Sequence, residues 1–343
     1  MVYVDDCAIA FDKTSKPLFD VFCTDLGKDF KYTNRGDLKW FLGFQITRDR
    51  AAGTLKIDQG AFVRSMLEAY NMTDCIPVST PGMPNTYPGE KHMPGTGSEY
   101  DAERTAMKLR PYRRVVGSLL WLARCTRPDL AFTASILSRA LHNPGYLHWQ
   151  AAKHALRYCK LTADTGITFD RSASNTLTGQ VDANWQPDYG DSNSNRRSTT
   201  GWVFWSCGAA ISWRSSRQKA VAASSAEAEY MAAFCASREC VFLRRLMADL
   251  GSPQVGPTII GEDNQACIRI SKNPCDAERT KHIDGKYHLV RDLVKDDVLQ
   301  LEYVDTNNMS ADMLTKFVPL PKVNKFRSRM VGSAFKRRHP SAG

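Results

Sequence analysis

At 343 residues, with 43% hydrophobic and 24% charged positions, the chain is long enough for two or more domains with cores of their own. The acids Asp5 and Asp6 sit where a secretory signal carries basic residues, and apolar runs such as 117–123 fall far short of a membrane span. The net charge of +10 is unevenly placed: residues 104–160 hold eleven Lys/Arg against Asp129 alone, and residues 316–343 hold eight with no acid. The remainder is net acidic, so a polyanionic partner gripped at basic edges is one reading, and a solvated surface with a disordered tail is the other. The ten cysteines form no C-x-x-C pair and no zinc spacing. They point to a reducing compartment, cytoplasm or nucleus, with most of them serving as small buried apolar groups.

Val2-Tyr3-Val4-Asp5-Asp6 predicts a strand and turn, with both acids at the hairpin tip because burying two unpaired carboxylates is too costly. Residues 39–46 read as a strand and 54–58 as its partner across Ala51-Ala52-Gly53. Phe62, Val63, Met66 and Leu67 give helical spacing over 59–70. Five prolines make 76–103 a linker. A helical block follows from 102. Pro128 opens a helix over 129–141, Asn143-Pro144 breaks it, and a third helix covers 148–160. Trp149, Ala152, Ala155, Leu156 and Cys159 form the apolar face of that helix, leaving Lys153, Arg157 and Lys160 for water or phosphate. His142, His148 and His154 fall six apart, matching neither a helix face nor a ligand set, and are read as surface residues.

Beyond residue 172 the pattern turns to strands. A strand over 177–182 precedes a hairpin of 201–205 and 211–213 turned at Cys207-Gly208. Trp202, Trp205 and Trp213 on it read as core. A helix over 226–250 ends at Gly251. Then come a strand over 258–262, helices over 266–271 and 282–294, a strand over 299–304 and a helix over 310–316. This is the element order of the ribonuclease H fold. Four acids fall at its element ends: Asp182, Glu229, Asp263 and Asp312. A strand acid beside a helix acid is how folds build metal-dependent phosphodiester chemistry. Glu227 competes with Glu229, but positions two apart on a helix do not face the same way.

Several stretches also match, in order, a family pattern. They are Tyr3-Val4-Asp5-Asp6, Leu38-Lys39-Trp40-Phe41-Leu42-Gly43, Pro77-Val78-Ser79-Thr80-Pro81, residues 112–122, and Thr126-Arg127-Pro128-Asp129. Together they resemble the Pol polyprotein of copia-type LTR retrotransposons, from the C-terminal part of the reverse transcriptase through the ribonuclease H domain. The resemblance implies an α+β / α/β multidomain chain. Its parts would be a palm remnant at 1–75, the linker at 76–103, a helical thumb or connection at 104–171 and a basic tail at 319–343. Residues 172–318 would carry a mixed five-stranded ribonuclease H-like sheet with flanking helices.

The resemblance further implies that Asp182, Glu229, Asp263 and Asp312 bind two Mg²⁺ or Mn²⁺ ions, one activating water and the other stabilising the leaving oxygen. It favours Glu229 over Glu227. The activity implied is hydrolysis of RNA in RNA–DNA hybrids. Asp5 and Asp6 would belong to a polymerase site that this chain does not complete, so no DNA synthesis is expected of it alone. Arg113, Arg114, Lys153, Arg157 and Lys281 are the expected nucleic-acid contacts. The expected partners are the hybrid, a template–primer duplex and the N-terminal part of the polymerase, in the cytoplasm, the nucleus or a retroelement particle and with no membrane. Two departures stand out. Asn184 replaces the second acid of the family's D-A-D-W motif, and the short loop at 305–308 lacks the histidine of many ribonucleases H. The alternative is a catalytically silent nucleic-acid-binding remnant.

Overall fold

The computed structural model describes residues 2–83, 86–185, 196–272 and 284–332. Strands β1 (Val2–Tyr3) and β2 (Asp6–Cys7) pair antiparallel, and Val4 takes φ 49° in the turn between them. Asp5 and Asp6 are exposed there, as the cost of burying them demands. Helix α1 (Lys16–Asp29), begun by Pro17 in its first turn, buries none of its residues. The strand expected over 39–46 is instead a hairpin, β3 (Trp40–Phe41) and β4 (Phe44–Asp49). Its two-residue turn is Leu42-Gly43, with φ 51° and 83°, the positive pair that matches strand twist.

Strand β5 (Thr54–Asp58) pairs with β4, and α2 (Gly60–Ala69) packs Val63, Met66 and Leu67 inward. The helical block is α3 (Asp101–Lys108), α4 (Tyr112–Cys125), α5 (Ala131–Ser138) and α6 (Tyr146–Leu161). After it, β6 (Gly166–Asp170) returns to pair antiparallel with β5 and completes a four-stranded sheet, β3-β4-β5-β6.

Two expectations for the helical block are corrected. His148 is fully buried, its Nδ1 accepting the Gly145 N–H at 3.1 Å, and burial pushes its pKa down to about 4. His154 lies half-buried, 3.0 Å from the Thr80 carbonyl. Neither is a surface residue, because each ties α6 to the chain around it. The charge of the block is also less available than expected. Arg127 is buried and grips Asp129 through Nε (2.9 Å) and Nη2 (2.7 Å), while Tyr158 donates to Asp129 at 2.6 Å. Lys160 donates to the Cys75 carbonyl and Arg157 to that of Ile76, fastening the linker to α6. The cysteines are corrected as well: of those described, only Cys159, Cys240 and Cys267 are buried.

The second sheet holds β7 (Thr178–Asn184), β8 (Thr199–Ser206), β9 (Ala209–Arg217), β10 (Thr258–Glu262) and β11 (Leu299–Tyr303) in the order β11-β10-β7-β8-β9. Strands β7, β8 and β9 are antiparallel neighbours, whereas β10 runs parallel to both β7 and β11. The Cys207-Gly208 turn has φ 51° and 80°, again the positive pair a tight hairpin needs. This is the mixed ribonuclease H-like sheet. Helix α7 (Ser225–Asp249) follows it, with α8 (Gln265–Lys272) and α9 (Asp284–Lys295) between the last two strands.

Strand alternation divides β8 between two cores. Trp202 and Phe204 join Tyr230, Ala232 and Ala236 of α7, while Val203 and Trp205 join Leu119, Leu122 and Leu156 of the helical block. Trp213 donates to the Ala123 carbonyl at 2.6 Å. The sheet is therefore covered on both faces, and the tryptophans are core groups. Residues 310–314, expected as a helix, form a single 3₁₀ turn (Ser310–Leu314). Residues 320–331, expected within a basic tail, form α10 (Leu320–Val331), which buries Val323, Phe326, Met330 and even Arg327. Apolar side chains at i, i+3 and i+7 explain why it folds. No described helix is long and apolar enough to cross a membrane.

Candidate metal centre

Three elements bring one carboxylate each to the same end of the mixed sheet. Asp182 lies on β7, opposite Gly201 of β8. A Cβ at Gly201 would stand 2.7 Å from the side chains of Leu314 and Thr315, so glycine makes room there for the Ser310–Leu314 turn. That approach lets the Thr315 hydroxyl donate to Asp182 Oδ2. Asp182 is only 3% exposed, and burial, offset in part by Lys316, pushes its pKa up to about 6.

At the start of α7, Ser224 Oγ accepts the Glu227 N–H (3.2 Å) and Glu227 Oε2 accepts the Ala223 N–H (2.7 Å). This reciprocal cap leaves Glu227 half-buried and its carboxylate occupied. Two positions on, Glu229 is buried and turned inward. Its Oε2 has no hydrogen-bond partner among the described residues. Burial, then Glu262, Asp182 and Asp263, drive its carboxyl well above the ordinary range. Asp263 follows β10 and accepts the Thr306 hydroxyl on Oδ2 at 2.9 Å. One oxygen from each of Asp182, Glu229 and Asp263 lies within 4.8 Å of the other two. A small hard cation prefers such oxygens, and an unpartnered buried carboxylate oxygen is the group that such a cation satisfies.

Asp312 is buried and lies outside the group of three whose oxygens all fall within 4.8 Å of one another, while its charge acts on Asp182. Lys316 Nζ is 2.8 Å from Asp312 Oδ1 and Lys322 Nζ 3.5 Å from its Oδ2. One acid escaped the sequence reading. Glu262, the last residue of β10, is fully buried with Oε2 unpartnered, and its Oε1 accepts the Asn264 N–H at 3.0 Å. Burial and the neighbouring acids push its carboxyl up to about 8. Its signal was the adjacency of Glu262 and Asp263 at a strand end, where only one of two successive side chains can face each way.

The remaining candidates are scattered. Asp5 and Asp6 gain no third metal-ligating side chain among the described residues. Arg113 donates to the Leu141 carbonyl at 2.9 Å, while Arg114 is exposed. Lys153 and Arg157 border a cleft of about 340 Å³ that Met72 and Met83 also line. Lys281 lies outside the described residues.

Residues 1–84 match the family described as reverse transcriptase (RNA-dependent DNA polymerase). The chain is 38% identical, over 94% of its length, to the Retrovirus-related Pol polyprotein from transposon TNT 1-94 of Nicotiana tabacum. It belongs to the copia-type Pol polyproteins. A second copia-type relative, the Pol polyprotein from transposon RE2 of Arabidopsis thaliana, is 34% identical over 94% of the chain. The chain spans 23% and 21% of the lengths of these two polyproteins. Among solved structures it is similar to LC11-RNase H1, isolated from compost, at 15% identity and a TM-score of 0.30, covering 44% of this chain and 97% of that one. The copia-type chain thus joins part of a reverse transcriptase to a ribonuclease H-like sheet.

Proposed function

We propose that residues 172–318 hydrolyse the RNA strand of RNA–DNA hybrids, using a divalent ion, Mg²⁺ or Mn²⁺, held by Asp182, Glu229 and Asp263. The observation that carries this reading is the convergence of those three carboxylates within 4.8 Å, with Glu229 Oε2 buried and unpartnered. When bound, the ion supplies Lewis acidity and lowers the pKa of water. The chain's own part is to fix the ligands. Thr315 orients Asp182, Thr306 orients Asp263, and the Ser224–Glu227 cap turns Glu229 inward. Glu262 raises the Glu229 carboxyl, and a cation held there would draw both toward the charged form. Asp312 closes the acidic edge through its lysines.

The partners that suit this reading are the hybrid itself and a template–primer duplex along the basic residues, the exposed Arg114 and the half-buried Lys153 foremost, with Arg113, Arg157 and Lys281 as further contacts. Polymerase activity is proposed only for a polyprotein that supplies what Asp5 and Asp6 lack.

The test is cleavage of an end-labelled hybrid with Mg²⁺ or Mn²⁺. The wild-type chain is expected to cut the RNA strand, and Asp263→Asn and Glu229→Gln to lose more than about 100-fold, beyond the usual cost of an outer-shell change. Binding of the duplex without product by the wild type would instead favour a silent nucleic-acid-binding remnant.

A further inference from the structure

We propose that the cleft between α6 and residues 72–83 binds a nucleotide with a terminal phosphate. The base rests on Met72 and Met83, and Lys153 and Arg157 hold the phosphate. This site is separate from the metal centre and does not rest on it.

The cleft, of about 340 Å³, falls in the range of small-ligand sites. One side of it is a helix stripe, with Gln150, Lys153, His154 and Arg157 at i, i+3, i+4 and i+7 of α6. Met72 and Met83 complete the lining from the two ends of one chain segment. That segment is pinned to α6 at three carbonyls. Lys160 donates to Cys75, Arg157 Nε to Ile76, and His154 to Thr80 at 3.0 Å. Near its ends, the Met72 N–H donates to the Leu67 carbonyl at 2.8 Å, and the Thr133 hydroxyl to that of Pro81 at 3.2 Å. The opening is therefore fixed by anchored backbone rather than by loose side chains.

Charge selects the ligand. No acid lines the cleft, and Lys153 is half-buried with no hydrogen bond or ion pair among the described residues. Arg157 commits Nε to Ile76, and its Nη nitrogens are left for a ligand. Burial above all, with Arg157 beside it, lowers the His154 pKa, so that ring is neutral and the cleft carries two cations. Two cations match a terminal phosphate, of charge about −1.5 to −2 at pH 7, better than the single charge of a diester. Methionine is apolar and polarisable, and its sulfur packs well against ring edges, so the rest of the ligand is a flat base rather than a second anion. Gln150, exposed at the rim, offers an amide donor and a carbonyl acceptor to a base edge. A free nucleoside monophosphate and the phosphorylated 5′ end of a strand present the same chemistry.

The test is calorimetric titration of the full chain in EDTA, so that no divalent ion takes part. Adenosine 5′-monophosphate is expected to bind with a Kd at or below about 1 mM, and adenosine and ribose 5-phosphate at least about tenfold more weakly. Lys153→Met and Lys153→Gln are each expected to weaken the nucleotide at least about tenfold, with an unchanged circular dichroism spectrum. Met83→Ala is expected to weaken the nucleotide and to leave ribose 5-phosphate as it was. A 5′-phosphorylated oligonucleotide that binds more tightly than its 5′-hydroxyl twin would assign the site to strand ends, and equal binding of the two to free nucleotides. No binding of the nucleotide by the wild type, or full affinity in both folded Lys153 variants, would overturn the site. Ribose 5-phosphate binding as tightly as the nucleotide would overturn the base contact.

Discussion

Glu229 and Glu227 differ by two positions and share a chemistry, yet the fold gives them opposite tasks. The helix period alone separates them, and the Ser224 cap settles which one faces water. Glu262 is the residue that sequence reasoning missed, because which of two adjacent strand acids turns inward depends on register against β7 and β11.

Its burial has a measurable consequence. Asp182 rises to about 6 and Glu262 to about 8, so from roughly pH 4 to 8 the folded chain holds protons that the unfolded chain has released. Stability contributed by these groups is therefore greatest in acid and is lost as pH rises, by an amount on the order of several kcal/mol. The metal-free chain is expected to unfold at lower urea at pH 8 than at pH 5. Mg²⁺ at pH 8 should restore the midpoint by binding the folded state. A midpoint that climbs with pH in metal-free buffer would contradict this account.

Among elements, the mixed sheet was the most legible part. Period-2 strands, the Cys207-Gly208 turn and a capped helix are local signals, and they agree with one another. The failures were also local in origin. Leu42-Gly43 hides a hairpin inside an apolar run, since leucine is an unusual residue at positive φ. Helix α10 was masked by its charge, although Val323, Phe326 and Met330 carried the period. Gly201 shows how one strand position governs the metal centre. Gly201→Ala places a methyl 2.7 Å from Leu314 and Thr315, and the turn that carries Thr315 must shift. The expected cost is about 1–3 kcal/mol of stability. Calorimetry should also find weaker Mn²⁺ affinity, because Thr315 leaves Asp182. An unchanged melting temperature would argue that the turn is loosely docked.

Across the whole molecule, the buried pair of Arg127 and Asp129 links parts of the chain that the sequence presents as separate. Tyr158 of α6 donates to Asp129, and Arg327 of α10 donates to Tyr158 at 3.0 Å. Asp129→Ala would leave Arg127 buried without its partner, at a cost of about 3–5 kcal/mol. Chemical denaturation should register that loss equally by probes in the helical block and in α10, whereas a loss confined to one of them would mean that the network does not couple them. Such contacts were illegible beforehand: Arg127-Pro128-Asp129 announces a helix start, and nothing local says that its charges are internal or that Arg327 will join them.

The return of β6 to β5 bears on how the chain reaches this state. Asp58 pairs with Gly166, so the first sheet closes only after the entire helical block has been made and has brought its two ends together. That pairing joins residues on the order of a hundred positions apart, and loop closure has to precede the contacts that reward it. On the ribosome, β5 must wait as an open edge until residues 166–170 emerge. The helical block between β5 and β6 is built from local contacts, and in the folded chain it brings the two ends of the sheet together.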